Sequence, residues 1–175
     1  MTPEAIPEIE LGPADEAMIA DLLMRAFGPD FDGRSYYKQR PHLRLVIRDE
    51  GRIVGHMALV MRDIRLGERL CPIAGLAEVA TDPERRGAGI ASALLPEAIR
   101  RARASLAEFL VLFGDRPIYA GHGFVMANNR LTYPVLDDVR THRVTRRVDP
   151  GLMVLPLREA AWDFAAPVDL VGHLF

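Results

Sequence analysis

Lysine is almost missing from this sequence: Lys38 is the only one, so nearly all the positive charge is arginine. Genomic base composition accounts for that bias without any appeal to function. Surplus positive charge is missing too. Lysine and arginine total 22 against 24 aspartates and glutamates, a formal net charge of −2 with a pI near 6.2. That balance leaves nothing to neutralise a phosphate backbone or to settle on an anionic bilayer, so neither nucleic acid nor membrane is expected as a partner. Long apolar runs are absent as well. Residues 106–113 form one of the longest, far short of the roughly 20 that a membrane helix needs. Residues 1–11 have no basic region followed by an apolar one, as a secretory leader would. A cytoplasmic protein is expected. Cysteine is reduced to Cys71, which rules out an internal disulfide, and no Cys/His cluster has zinc spacing, so no metal is expected. Cys71 sits in an apolar strand pattern and reads as a buried packing residue, not a nucleophile.

What is present is the makeup of an ordinary globular chain: 175 residues, 49% hydrophobic and 26% charged, enough for one domain, residues 1–175, with a substantial core. Residues 6–11 alternate apolar and polar until Gly12-Pro13, a first strand. From Ala14 the apolar residues Ala17, Met18, Leu22, Leu23, Ala26 and Phe27 recur at helical spacing until Gly28-Pro29 stops them. Residues 29–41 read as a loop or short helix. Three runs rich in Val, Ile and Leu follow, residues 43–48, 52–64 and 69–81, separated by Asp49-Glu50-Gly51 and Leu66-Gly67-Glu68. Two tight turns between three such runs predict an antiparallel meander. After Pro83 a helical pattern runs through Ala91, Leu94, Leu95, Ala98, Ala102 and Leu106, and residues 109–113 are continuously apolar. Strand, helix, strand is a crossover that normally makes parallel neighbours. A short helix over 116–120 ends at Gly121-His122-Gly123. Residues 124–150 show one strand near 131–135, residues 151–157 form a clear strand, and residues 160–175 have no strong periodicity.

The chemistry concentrates in Asp82-Pro83-Glu84-Arg85-Arg86-Gly87-Ala88-Gly89-Ile90-Ala91, a turn between an apolar strand and an amphipathic helix. Small residues there let a ligand approach the backbone, and the free amides at a helix start favour an anion. A Walker loop would need a lysine that this turn lacks, and a dinucleotide fingerprint would need three glycines in its own spacing within successive parallel units. The pattern Arg/Gln-x-x-Gly-x-Gly/Ala is met by Arg86, Gly89 and Ala91. The run from Leu76 to Pro83 before it, Leu94-Leu95 after it, and Tyr119 four residues ahead of Gly123-Phe124 extend the match over residues 43–124. On these residues the chain resembles the GNAT superfamily of N-acetyltransferases. Its end, Met153-Val154-Leu155-Pro156-Leu157 and then Trp162, is similar to nodulation acyltransferase-like and aminoglycoside 2′-N-acetyltransferase-like members.

The resemblance implies an α/β (α+β) fold: a mixed, mostly antiparallel central sheet of six to seven strands, splayed between the fourth and fifth and flanked by helices. It implies an acyl-CoA-dependent N-acyltransferase using acetyl-CoA or another acyl-CoA and no metal. The backbone of Val79, Ala80 and Thr81 would pair with the pantetheine arm between the splayed strands, and the amides of Gly87, Ala88, Gly89, Ile90 and Ala91 would hold the pyrophosphate. Arg85 and Arg86 are either phosphate contacts from the rim or solvated first-turn side chains. Direct transfer needs a base for the attacking amine and an acid for the departing thiolate. By family analogy Tyr119 is the acid, against a reading as a core aromatic. Glu78, an acidic residue among Leu76, Ala77, Val79 and Ala80, needs a partner, water or a task. It is either the base or a residue facing solvent or an arginine. His56 reads as a hydrogen-bonded core histidine. The acceptor would be a small-molecule or peptide amine, met by a set drawn from Asp30, Asp32, Tyr36, Tyr37, Asp137, Asp138, Trp162, Asp163 and Asp169. Monomer and homodimer both stay open. The alternative to an enzyme is a non-catalytic acyl-CoA-binding sensor or interaction module on the same fold.

Overall fold

A computed structural model describes all 175 residues. In chain order it contains β1 (Glu4–Pro7), α1 (Pro13–Phe27), β2 (Leu43–Asp49), β3 (Arg52–Leu66), β4 (Arg69–Thr81), α2 (Ile90–Ala104), β5 (Phe109–Phe113), α3 (Pro117–Gly121), β6 (Val125–Met126), β7 (Arg130–Asp137), β8 (Arg140–Val148), β9 (Leu152–Pro156) and β10 (Val168–Asp169). The class is the expected one, a mixed and mostly antiparallel sheet with helices, but with ten strands instead of six to seven. The chain packs as two compact units, Met1–Val60 with Leu76–Arg101, and Met61–Gly75 with Ala102–Phe175. β3 and β4 contribute a segment to each.

In the first unit, α1 begins with Pro13 in its first turn, carries Asp15 and Glu16 where the helix dipole favours acids, and stops at Gly28, whose N–H still reaches the Met24 carbonyl and whose φ of 76° then turns the chain out of the helix. Its apolar stripe, Ile19, Leu22 and Leu23, packs on Ile6, Phe31, Val46, Ile53 and Ala80. β1 and β2 pair antiparallel (Ile6 opposite Arg44), as do β2 and β3 (Val46 opposite His56). Glu50 and Gly51 both have positive φ, 48° and 79°, as a two-residue type I′ hairpin requires. On β3, Gly55 has no room for a Cβ, which would run into Ile90 and lie 3.1 Å from Leu94. A larger residue there would push the start of α2 away from the sheet.

In the second unit the strand order is β6-β9-β5-β4-β3-β10-β7-β8, with the outer part of β3 and the first part of β4 at its centre. β5 and β9 pair antiparallel (Val111 opposite Val154), and β7 and β8 form a long hairpin. β10 fills the gap between β3 and β7, antiparallel to the first and parallel to the second. The core gathers Phe109, Val111, Leu131, Leu152, Val154 and Trp162.

Four expectations are corrected. The first strand is residues 4–7, not 6–11, because residues 8–10 turn into a 3₁₀ helix. The second long helix ends at Ala104, and Leu106, counted on its apolar face, is 81% exposed. The stretch 124–150 holds three strands, not one, and the tail contributes β10. β8 left no apolar signal because nearly every one of its side chains faces water.

Candidate active site

Three successive strands of the first unit each carry one ionisable residue in an apolar stretch: Arg44 on β2, His56 on β3 and Glu78 on β4. Each alone would be costly to bury. Arg44, fully buried, spends all five guanidinium protons. Nε and one Nη2 proton grip the Glu8 carboxylate at 2.6 and 3.1 Å, and the other Nη2 proton reaches Ser35 Oγ at 3.4 Å. Nη1 donates to the Ser35 carbonyl at 2.6 Å and to His56 Nε2 at 3.3 Å. A guanidinium only donates, so His56 Nε2 accepts and the ring proton sits on Nδ1, which donates to the Glu78 carbonyl at 2.9 Å. Burial, and then the Arg44 charge, push His56 down to about 3, so the ring is neutral. Burial raises Glu8, but the hydrogen bonds from Arg44 and Arg40 outweigh it and hold the carboxyl below its usual range.

Glu78 is unusual on two counts. Its φ is 52°, left-handed backbone in a non-glycine residue, which costs roughly 1–3 kcal/mol unless the surroundings enforce it. Its side chain is 5% exposed, yet only half engaged. Oε1 accepts the Tyr37 N–H at 2.8 Å, while Oε2 has no hydrogen-bond partner. Arg44 Nη1 lies 3.8 Å from Oε2, an ionic contact too long for a hydrogen bond. Burial pushes the Glu78 carboxyl up to about 7, against the opposing pull of the Tyr37 amide and Arg44. The group therefore changes charge near neutral pH with one oxygen unengaged.

Val79, Ala80 and Thr81 follow directly on β4, and then the phosphate-loop candidate. Asp82, buried, anchors the loop: its Oδ1 takes an ion pair from Arg25 of α1 at 2.8 Å and caps the Glu84 N–H at 3.1 Å. Residues 84–89 are exposed. Gly87 and Gly89 adopt φ of 81° and 77°, and a Cβ on either would meet nothing within 4 Å. The first bond of α2 runs from Ala93 N–H to the Gly89 carbonyl at 3.0 Å, so the amides of Ile90, Ala91 and Ser92 precede the helical ladder. Arg85 is held by Asp49 at 2.6 Å, whereas Arg86 is exposed.

Tyr119 belongs to the second unit. It is buried on α3, its ring 5.9 Å from that of Phe124 and 3.2 Å from where a Cβ on Gly114 would stand. Burial raises its pKa above the ordinary phenol value. Cys71 is buried with its thiol pushed up to about 11, also by burial, as suits packing and not attack.

The acceptor set divides. Tyr37 and Tyr36 lie on the loop that contacts Glu78, Tyr37 with its ring tilted against Phe31 at 5.5 Å and Tyr36 under the Arg40 guanidinium at 4.8 Å. Trp162 is a core residue, its Nε1 bonded to Asn129 Oδ1 at 2.9 Å and its ring edge-on to Phe109 at 5.1 Å. Asp163 caps Ala165 and Ala166, Asp169 caps Val171, and Asp138 sits in the β7–β8 turn with φ 44°. Arg44 and Ser35 were missed. The signal for Arg44 was the one that exposed Glu78, a charge inside an apolar run, Leu43-Arg44-Leu45-Val46-Ile47.

A strained, buried acid on β4 thus leads into an open, glycine-bearing turn at the start of a helix, and sequence comparison supplies the class. The profile of the acetyltransferase (GNAT) domain matches residues 9–127, and the chain belongs to the GNAT acetyltransferase family. Nodulation protein A of Bradyrhizobium elkanii is 27% identical over 163 residues, covering 87% of this chain and 75% of the relative. The uncharacterized N-acetyltransferase YhbS of Escherichia coli K12 is 34% identical over 124 residues, 66% of this chain and 71% of the relative. The crystal structure of E. coli YhbS in complex with CoA superposes with a TM-score of 0.66 at 22% identity, over 97% of this chain and 90% of that one. A GNAT family acetyltransferase from Brucella melitensis in complex with acetyl-CoA gives 0.62 at 22%, over 95% and 94%. These superpositions establish the fold, and the likeness to nodulation proteins read from the C-terminal run is borne out. No helix is long and apolar enough to cross a membrane.

Proposed function

We propose that the protein is an acyl-CoA-dependent N-acyltransferase that moves an acetyl group from acetyl-CoA directly to a primary amine on a small molecule or peptide. The observation that carries this reading is Glu78, a buried carboxyl held near pKa 7 with Oε2 unengaged. An amine attacks only after losing a proton, and a base poised near the working pH is the one best matched to take it. The open backbone at Gly87 and Gly89 and the amides of Ile90 and Ala91 suit a pyrophosphate, with Ala88 between them and Arg86 on the rim. Arg85 joins them once Asp49 releases it. The backbone of Val79, Ala80 and Thr81 receives the pantetheine arm. Ligands carried by the B. melitensis and E. coli structures, acetyl-CoA and CoA, support that assignment.

In the reaction a C–N bond forms as the thioester C–S bond breaks. The amine proton goes to Glu78, and the Tyr119 hydroxyl, kept protonated by its raised pKa, returns a proton to the sulfur. The test is release of free thiol from acetyl-CoA across amines, aminoglycosides, amino acids and peptides, followed by pH–rate profiles. Wild-type kcat/KM should rise with pH through a midpoint near 7. Glu78→Gln should lose about 10²- to 10⁴-fold at low pH, with partial recovery as the amine deprotonates itself. An unchanged profile removes Glu78 from the mechanism. Tight acetyl-CoA binding with no thiol release for any amine replaces the enzyme by the binding module.

A further inference from the structure

The buried network around Glu78 contains a group for which acyl transfer has no direct use. His56 is fully buried and is fixed at both ring nitrogens, accepting from Arg44 and donating to the Glu78 carbonyl. We propose that His56 is a positioning residue that keeps Arg44 and Glu78 apart. It accepts the Arg44 proton within reach of Glu78 Oε2 and gives its own proton to the Glu78 carbonyl, so the carboxyl stays unpaired and its backbone left-handed.

The geometry makes the alternative explicit. Arg44 Nη1 has two protons, one on the Ser35 carbonyl and one on His56, and the next acceptor is Glu78 Oε2 at 3.8 Å. Without the imidazole, that second proton is a buried donor without a partner, which costs about 1–3 kcal/mol. A movement of about 1 Å would bring it onto Oε2 as a charge-assisted hydrogen bond. Glu78 would then be a permanently ionised structural partner of Arg44 and a poor base. The ionised Glu8 carboxylate does not prevent this, because Arg44 already meets it through Nε and Nη2. The other charged groups around the network are Arg40 in the loop after α1 and Glu16 on α1, bonded to each other at 2.6 Å. Both join the network through its other members, Glu16 by a hydrogen bond from Ser35 and Arg40 by one to Glu8.

The kinetic part of this inference rests on Glu78 being the base, but its titration does not. The side-chain carboxyl of Glu78 is followed by ¹³C NMR, assigned as the resonance missing from Glu78→Gln. In His56→Leu the titration midpoint should fall by about two pH units, into the ordinary carboxylate range, as the Arg44 pair forms. In the double variant Arg44→Met/His56→Leu it should not fall, since no cation remains to pair. His56→Gln, which can still accept from Arg44, should stay within about half a unit of wild type. A purely structural histidine would lower the melting temperature in every variant and leave the Glu78 midpoint unmoved, and that result overturns the proposal. Should His56→Leu not fold, the ¹⁵N spectrum of the wild-type ring decides. A proton on Nδ1 alone from pH 5 to 9 is expected, and an Nε2–H tautomer or an imidazolium in that range overturns it. If the midpoint moves as stated but the acid limb of kcat/KM does not follow, His56 keeps its role and Glu78 loses its own.

Discussion

At the scale of single residues, Glu78 and His56 set opposite demands on pH. Glu78 titrates near 7 in the folded protein, above the ordinary 4.5 of a glutamate, so between those values the folded state binds more protons and stability falls as pH rises. His56 titrates near 3, below the ordinary 6.5 of a histidine, so between those values the unfolded state binds more protons and stability falls as pH drops. Across the shared window from 4.5 to 6.5 the two slopes nearly cancel. Replacing Glu78 by Gln removes one slope and leaves the other. Relative to wild type, the variant should gain about 2.5 kcal/mol between pH 5 and pH 8, measured by urea unfolding at both values. A difference between the proteins that does not change with pH would mean that Glu78 is not buried as a protonated acid.

At the scale of elements, the loop from Asp82 to Ile90 is built to leave space. Gly89→Glu places a chain and a negative charge in that opening, and should abolish the rise in melting temperature expected from acetyl-CoA by mass action. Gly89→Ala is the control for backbone strain at φ 77°. It should cost about 1 kcal/mol of stability yet keep most of the shift. If Gly89→Glu folds and still responds to acetyl-CoA, the pyrophosphate lies elsewhere. The geometry of this loop was legible in the sequence because it is local: glycines, a helix start and the strand before it lie within a dozen or so residues. β2, β3 and β4 were legible for a similar reason, each being an apolar run between turn residues. Of the Arg44–His56–Glu78 network only His56 and Glu78 stood out in the sequence, since what joins the three is strand register, with His56 opposite Val46 on β2, and register is not written in any one run. Trp162 was misplaced because a tryptophan beside acids looks like a cleft. Only the fold reveals Asn129 waiting for the indole, its own amide bonded to the Asp163 and Ala166 carbonyls at 2.8 Å each.

At the scale of the whole molecule, the C-terminal tail is structural. Trp162, Asn129 and β10 tie residues 160–175 into the core of the second unit. Trp162→Ala should cost about 3–5 kcal/mol, read by denaturant unfolding, with much of the loss remaining when Asn129 is also made Ala. A loss below about 1 kcal/mol would mean the tail is held by something else. The far edge of the same unit has a different consequence. β8 closes the strand order with a partner on one side only, and its nine residues present an unpaired row of backbone amides and carbonyls. Such an edge invites another chain to add itself as the next strand. Here it carries Arg140, Arg143, Arg146 and Arg147 and no acid, so a copy of the chain laid alongside would bring guanidinium against guanidinium. For a molecule whose net charge is only −2, this local repulsion, and not overall charge, is what would oppose such an addition. The same charges are screened within about 8 Å at physiological ionic strength, so the guard on β8 is colloidal in nature and weakens as salt is added.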